Sequence, residues 1–298
     1  MGTEHDAVRR ALGRVGVWTF GFDGRSTASI AGDVRAIEEA GYSALWIPEG
    51  GGSSDVLTSL AWLLGASERL AVASGIANIT AREPEVLARG AAFLRETSGD
   101  RLVLGIGVGH EYTTIRRGVT WDGPLARMRA YLDVMDEAAE GRPAAPRMLA
   151  ALGDGMLRLA AERALGAHTY FAPVAHTSRA RGVLGPEPVL AVEQGVVLIE
   201  DPAAARAAAR GWAVHYLELP NYATNWRRLG FDDDDVAGSG SDRLLDAAFA
   251  WGIDAIVDRV RAHRAAGADH VCIQVIGSSS ADEDVAALQQ LAPLLLSA

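Results

Sequence analysis

The chain has 298 residues, 49% hydrophobic and 22% charged, a globular composition long enough to bury a large core. A net charge of −10 argues against nonspecific nucleic-acid binding, and a lone cysteine, Cys272, rules out an intramolecular disulfide framework. No apolar run reaches the roughly 18 residues of a membrane helix, and the start MGTEHDAVRR has no apolar signal core, so the expectation is a soluble cytoplasmic protein with no membrane or nucleic-acid partner.

Strand-like and helix-like stretches alternate along the chain. Residues 13–18 (GRVGVW) read as a first strand, followed by a loop and a helix to about residue 40 with Ile30, Val34 and Ile37 at helical spacing. Residues 43–47 are a second strand, ended by Pro48 and the flexible Glu49-Gly50-Gly51-Gly52. A helix over 55–66 leads to the third strand within RLAVASGIANIT (69–80). The next helix covers 83–98, with Pro84 in its first turn. Residues 102–106 form a fourth strand, and 107–122 a long loop carrying His110, Glu111, Tyr112 and Trp121. A helix from Gly123-Pro124 to about residue 139 ends at GRPAAP. A fifth strand (147–152) enters a helix at Gly153-Asp154-Gly155 that runs to about 165. A sixth strand covers 168–171, a short helix 177–183, and a seventh strand 189–199, whose apolar run Glu193 and Gln194 interrupt. An alanine-rich helix over 202–214 precedes a helical insertion, about 215–251, rich in Trp and Tyr. A helix over 253–266, an eighth strand over 270–276 and a last helix over 282–296 complete the chain.

Eight strands alternating with helices imply a parallel sheet closed into a (β/α)8 barrel, read as one domain over 1–298 with the helical insertion after strand seven. An open doubly wound sheet is the rival, but GFDG after strand one is not its glycine fingerprint. In such a barrel, active sites sit at the carboxyl ends of the strands. Four unusual strand endings would meet there. Glu49 offers an acid, a base or an acceptor. Gly75, Ile76, Ala77 and Asn78 depart from regular β geometry, and Asn78 both donates and accepts. Gly105, Gly107 and Gly109 expose backbone N–H groups beside Val108 and His110. Gly153, Asp154, Gly155 and Met156 open a helix, where either a phosphate is bound or Asp154 acts as the cap. No zinc spacing, paired cysteines or GxSxG elbow occurs, so no metal is expected. Cys272, in VCIQVI, reads as a buried, inert thiol. The aromatics around the insertion form a satellite core or line an apolar pocket over the mouth.

The order of GYSALWIPE, SGIANI, EPEVLARGAAFLRETSGDRLVLGIGVGH, LGDGMLRLAAERALGAHTYF, AVEQGVVLIEDP, LPNYATNWRRLGF and GADHVCIQVI resembles the luciferase-like (bacterial luciferase superfamily) oxidoreductases, and among them the actinobacterial coenzyme F420-dependent group. The resemblance implies a homodimer and a non-prolyl cis peptide at Gly75-Ile76 behind a deazaflavin ring. It places Asn78, Val108, Gly109 and His110 at the ring or ribityl chain and Gly153 to Met156 at the phosphate end, with hydride transfer to or from a small organic substrate as the chemistry. Two departures stand out. Gly50 follows Glu49 where relatives often carry histidine, leaving Glu49 and His110 as the proton-handling candidates. Asp154-Gly155 replaces a proline and a basic residue. Three readings stay open: F420-dependent hydride transfer, an FMN-dependent monooxygenase, and a barrel that has lost its cofactor chemistry.

Overall fold

The computed structural model describes residues 2–50, 53–138 and 143–297. Gly51, Gly52, the end of the fourth expected helix at Ala139 and the first residues of GRPAAP lie outside the described residues. The strands are β1 (Val15–Trp18), β2 (Ala44–Ile47), β3 (Ala71–Ser74), β4 (Ala77–Asn78), β5 (Leu102–Gly107), β6 (Arg147–Ala150), β7 (Gly166–Thr169), β8 (Val189–Val197), β9 (Phe249–Trp251) and β10 (His270–Val275). All pairs are parallel, in the order β1-β2-β3-β5-β6-β7-β8-β10, and β10 pairs back onto β1. This is the closed eight-stranded barrel that the alternation predicts.

The helices are α1 (Gly2–Leu12), α2 (Thr27–Glu39), α3 (Val56–Ala66), α4 (Pro84–Thr97), α5 (Glu111–Arg116), α6 (Pro124–Ala138), α7 (Asp154–Arg163), α8 (Val174–Leu184), α9 (Pro202–Leu217), α10 (Pro220–Arg228), α11 (Asp233–Val236), α12 (Asp242–Ala248), α13 (Ile253–Ala265) and α14 (Ala281–Leu296). The strands are buried on both faces, as parallel barrel strands must be. Their outward residues, among them Val15, Val17, Leu45, Val72, Leu104, Leu190 and Val192, pack with the helices in one continuous shell. Their inward residues are mostly small, such as Ala44, Ala71, Ala73 and Ala191, and share the interior with Trp18 and Trp46. Val8 and Leu12 of α1 pack into this same interior cluster.

Four elements differ from expectation. α1 was not foreseen. The long loop after β5 contains α5, which buries only Thr114 and so leaves no apolar stripe to read. The sixth barrel strand begins at Gly166 rather than at His168: α7 ends at Arg163, and a Cβ at Gly166 would overlap the Val189 carbonyl, so only glycine allows β7 to lie this close to β8. Finally, the helical insertion ends in the short strand β9, which takes the edge of β8 from Gly195 onward, where β7 has stopped pairing at Val192.

Several polar strand residues are buried with partners. His270 Nδ1 donates to the Gly13 carbonyl at 3.0 Å, and its Nε2 accepts from Trp46 Nε1 at 3.1 Å, which fixes a neutral tautomer. On the outward side of β8, Gln194 accepts from His263 Nε2 at 2.8 Å. His263 Nδ1 then accepts from the Thr177 hydroxyl at 2.7 Å. Cys272 is fully buried, and burial pushes its thiol up, as expected of an inert cysteine.

Glu38 joins α2 to the start of β3. Its carboxylate accepts from the backbone N–H groups of Glu68, Arg69 and Leu70 at 3.1, 2.6 and 3.0 Å. Burial works against the charge, but these donors outweigh it and hold the carboxyl below the usual glutamate range. A depressed folded-state value contributes stability that is present above the unfolded value and lost as pH falls through the folded one. Glu38→Ala should therefore cost about 3 kcal/mol in urea unfolding at pH 7, because it strands three donors. The difference from the parent should shrink below about pH 4.

Candidate functional site

At the carboxyl end of β2, Glu49 reaches across to the line of β3 and β4. Its Oε2 accepts from the Asn78 N–H at 2.7 Å and from Arg82 Nη1 at 2.9 Å, and Oε1 pairs with Arg82 Nη2. Arg82 also bonds Asp55 at 2.9 Å. Both Glu49 oxygens are thus occupied by donors. The arrangement suits a group that fixes the position of Asn78 rather than one that exchanges protons. Asn78 turns its Oδ1 to the backbone N–H and hydroxyl of Thr80, at 2.9 and 2.8 Å. Between β3 and β4 the Gly75–Ile76 peptide bond is cis.

The glycines of β5 line this bulge. A Cβ at Gly105 would overlap the Ser74 carbonyl oxygen. One at Gly107 would lie 2.6 Å from Ile76 Cδ1 and 3.2 Å from Ala150 Cβ. Gly109, at φ +69°, lies against the Asn78 amide, which a side chain would strike. Val108 packs partly buried on the outer shell. His110 caps α5 and is half-buried. Its ring lies 6.0 Å from both Tyr112 and Tyr222, parallel to the first. Burial lowers its pKa, against an opposing hydrogen bond from Asn221.

Gly153 is the N-cap of α7, and Asp154 is its first residue. Asp154 does not cap the helix, which corrects that reading. Its carboxylate instead pairs with Arg179 through two bonds of 3.1 and 2.9 Å. Gly155 and Met156 follow in the first turn. The guanidinium of Arg228, from α10, lies close enough to Gly153 that a Cβ there would be 3.3 Å from Nη1. The helix start therefore faces two arginines, one of which offsets Asp154. His176 Nε2 donates to the Leu152 carbonyl at 2.9 Å in the same corner.

Across the mouth the wall is aromatic. Trp18 lies 4.7 Å from Phe20 and 4.9 Å from Tyr170, Phe20 lies 5.5 Å from Trp212, and Tyr216 lies 5.1 Å from Tyr170 and 5.3 Å from Tyr222. Under Gly75 sit Trp18 Nε1 and His168, whose ring stacks on Trp46 at 4.5 Å. Trp18 Nε1 and both His168 nitrogens are buried without a hydrogen-bond partner among the described residues. Glu193 shares the inward face of β8 with Val189 and Ala191 and accepts from the Phe171 N–H at 2.9 Å. Burial raises its pKa to about 8, against that hydrogen bond.

The structure brings Glu49, Gly75, Ile76, Asn78, Gly107 and Gly109 into direct neighbourhood on β2, β3, β4 and β5. Gly153 to Met156 stand at the end of the adjacent β6, and His110 reaches the aromatic wall through Tyr222. Sequence reasoning missed Arg82, Arg179, Arg228 and Glu193. The arginines carry no local pattern, since their partners are 25 or more residues away in the chain. Glu193 did carry a signal: a carboxyl interrupting a β-branched strand must be either paired or neutral once buried. Among the described residues, no group of His, Cys, Asp and Glu could hold a metal ion, and no helix is long and apolar enough to cross a membrane.

Residues 15–270 match the family model described as luciferase-like monooxygenase. The 5,10-methylenetetrahydromethanopterin reductase of Archaeoglobus fulgidus is 31% identical over 109 residues, 37% of this chain and 33% of that protein. The match thus spans about a third of the length of that relative. The solved structure of the coenzyme F420-dependent tetrahydromethanopterin reductase of Methanopyrus kandleri has a TM-score of 0.77 at 17% identity, covering 95% of this chain and 98% of the other. The oxygenating constituent of 3,6-diketocamphane monooxygenase from Pseudomonas putida, solved with FMN, has a TM-score of 0.71 at 15% identity, covering 95% and 96%. At these identities the two solved structures attest the fold.

The buried titratable groups predict a stability maximum. Burial, the main cause in each case, lowers the pKa of His168 and His263 to about 3 and of His270 to about 4. Stability from these groups falls as pH drops below the unfolded histidine value of about 6.5, because only the unfolded chain then takes up protons. Glu193 has the opposite sign: its folded value is raised, so its contribution is complete below the unfolded carboxyl value and is lost as pH rises toward 8. Unfolding free energy should peak near about pH 6.5. Glu193→Gln should remove the decline on the alkaline side and raise stability at pH 8 by roughly 2–4 kcal/mol, read by urea unfolding across pH 5–9.

Proposed function

The chain belongs to the luciferase-like monooxygenase family, and we propose that within it this protein is an oxidoreductase that binds coenzyme F420 and transfers a hydride between it and a small organic substrate. The observation that carries this reading is a backbone bulge seated on glycines at the barrel mouth, beside a helix start that faces two arginines. Ser74, Ile76 and Asn78 fill the places that side chains at Gly105, Gly107 and Gly109 would take, so the bulge lies directly on this stretch of backbone. The adjacent strand β6 leads to the α7 start, where Arg228 and Arg179 stand. A planar ring system with a phosphate-bearing tail fits those two features. When bound, the deazaflavin would give or take the hydride at its ring carbon.

The chain's own residues have separable tasks in this reading. Gly75, Ile76, Gly107, Val108 and Gly109 hold the ring plane. Asn78, fixed by Glu49 and Arg82, presents its amide edge to the ring. Backbone N–H groups at Asp154 and Gly155, with Arg228, hold the phosphate. The positive end of the α7 dipole favours it there, and Arg179 offsets the Asp154 charge. Glu49 acts as a positioning residue. His110, kept neutral near pH 7 by burial, is the proton-handling candidate beside the ring. The aromatic wall excludes water from the reacting face.

Fluorescence titration of oxidised F420 into the purified protein tests the reading, and no binding at tens of micromolar would sink it. Arg228→Ala should weaken F420 roughly 10–100-fold, as expected for one lost charge-assisted hydrogen bond to phosphate. Reduced FMN with oxygen uptake is the contrasting assay. Tight FMN binding with oxygen consumption and no F420 binding would move the protein to the monooxygenase reading.

A further inference from the structure

Resting on the hydride-transfer reading, we infer that the mouth beside the Gly75–Ile76 bulge takes an uncharged, flat aromatic molecule carrying a hydroxyl or carbonyl group, and turns away carboxylates and phosphates. The wall next to the bulge is built from six rings: Trp18, Phe20, Tyr170, Trp212, Tyr216 and Tyr222. Phe20, Tyr170, Trp212 and Tyr216 keep part of their surface exposed. Neighbouring rings in the set stand 4.7–6.3 Å apart at tilted or edge-on angles, so a ligand ring laid on this wall would meet it through offset or edge contacts.

The polar groups set into that wall are neutral and directional. Tyr170 Oη lies 2.9 Å from both Tyr216 Oη and Gln274 Oε1. Tyr170 has one proton, and the amide oxygen can only accept, so Tyr170 donates to Gln274 and Tyr216 donates to Tyr170. The Tyr216 oxygen keeps a lone pair for a ligand hydroxyl. Below it, Glu193 is held by the Phe171 N–H alone among the described residues, and in its acid form it can donate to a carbonyl. The titratable groups facing Glu193 from the packed elements are Tyr170, Tyr216, Tyr222 and Cys272, none of them cationic.

Countercharge is placed elsewhere. Arg82 is committed to Glu49 and Asp55, Arg25 pairs with Asp33, and Arg179 pairs with Asp154. The two cation–ring contacts among the described residues, Arg206 over Trp251 and Arg243 over Phe231, involve none of the six rings. An anionic group entering this wall would lose hydration with no partner to replace it.

Isothermal titration calorimetry at pH 7 tests the inference on the full chain, with and without F420. The probes are acetophenone, 1-phenylethanol, benzoate and phenyl phosphate. The uncharged pair should bind at least about tenfold more tightly than either anion, and Trp212→Ala should weaken acetophenone about tenfold while Trp212→Phe restores it. Circular dichroism of both variants checks that they are folded. Equal or tighter binding of benzoate overturns the inference, and so does a folded Trp212→Ala that binds acetophenone as before. If F420 fails to bind while the uncharged probes keep their advantage, the hydride-transfer reading falls and the chemistry of the mouth stands. If F420 binds and no uncharged probe does, the reverse holds.

Discussion

The close approach of two backbones between β3 and β5 governs the rest of this molecule. Ser74 donates its hydroxyl to the Gly105 carbonyl at 2.8 Å, and its own carbonyl fills the space a Gly105 side chain would need. Ile76 likewise fills the space above Gly107. The chain can then resume pairing as β4, with Ala77 and Asn78 opposite Ile106 and Gly107. Gly105 and Gly107 of β5 must therefore be glycine, and Gly109 just beyond the strand, at φ +69°, gives way to the Asn78 amide in the same manner. The same steric fact seats the bulge flush on β5 at the barrel mouth.

A bulge in a parallel sheet loses ladder hydrogen bonds, and those groups need partners. Here the answer is electrostatic. Gly75 N–H finds the Ile47 carbonyl at 2.7 Å, Asn78 N–H finds the Glu49 carboxylate, and Ile79 N–H finds Gly107 at 3.0 Å. Burying Glu49 for this purpose requires a counter-ion, and Arg82 provides it from the loop before α4. The pair is nearly buried on both sides, so removing either member would leave an uncompensated charge. A carboxylate at a strand end, which from sequence alone can be read as an acid or a base, has both oxygens taken by donors here.

The eight barrel strands were legible because each contains a short apolar run between turn residues, and the helices between them carry apolar stripes. What sequence did not disclose depends on partners distant in the chain. Nothing near Arg228 tells that it will meet Gly153, because α10 and the start of α7 are far apart in the chain and meet only in the fold. Nothing near Asp154 tells that Arg179 will neutralise it. The opposite case is instructive at Gly75-Ile76: the local sequence showed a glycine at a strand end, and the resemblance to a family suggested the cis bond. α5 and β9 were invisible for a local reason, since one buries a single threonine and the other is three residues long.

The mouth thus divides into two halves of different chemistry, and the division follows from barrel geometry. On the β3, β5 and β6 side, a helix start offers backbone dipoles, and Arg179 and Arg228 stand beside it. On the β7, β8, β10 and β1 side, the inward positions are Tyr170, Glu193, Gln274 and Trp18, and α9 and α10 bring Trp212, Tyr216 and Tyr222 against them. Glu193 belongs to the second half. With tyrosines around it and no cation in contact, its neutral form is the one the surroundings favour. Fixed positive charge on one side of the mouth and only neutral donors and acceptors on the other would, in the proposed reading, separate the binding of an anionic cofactor from the selection of what reacts with it.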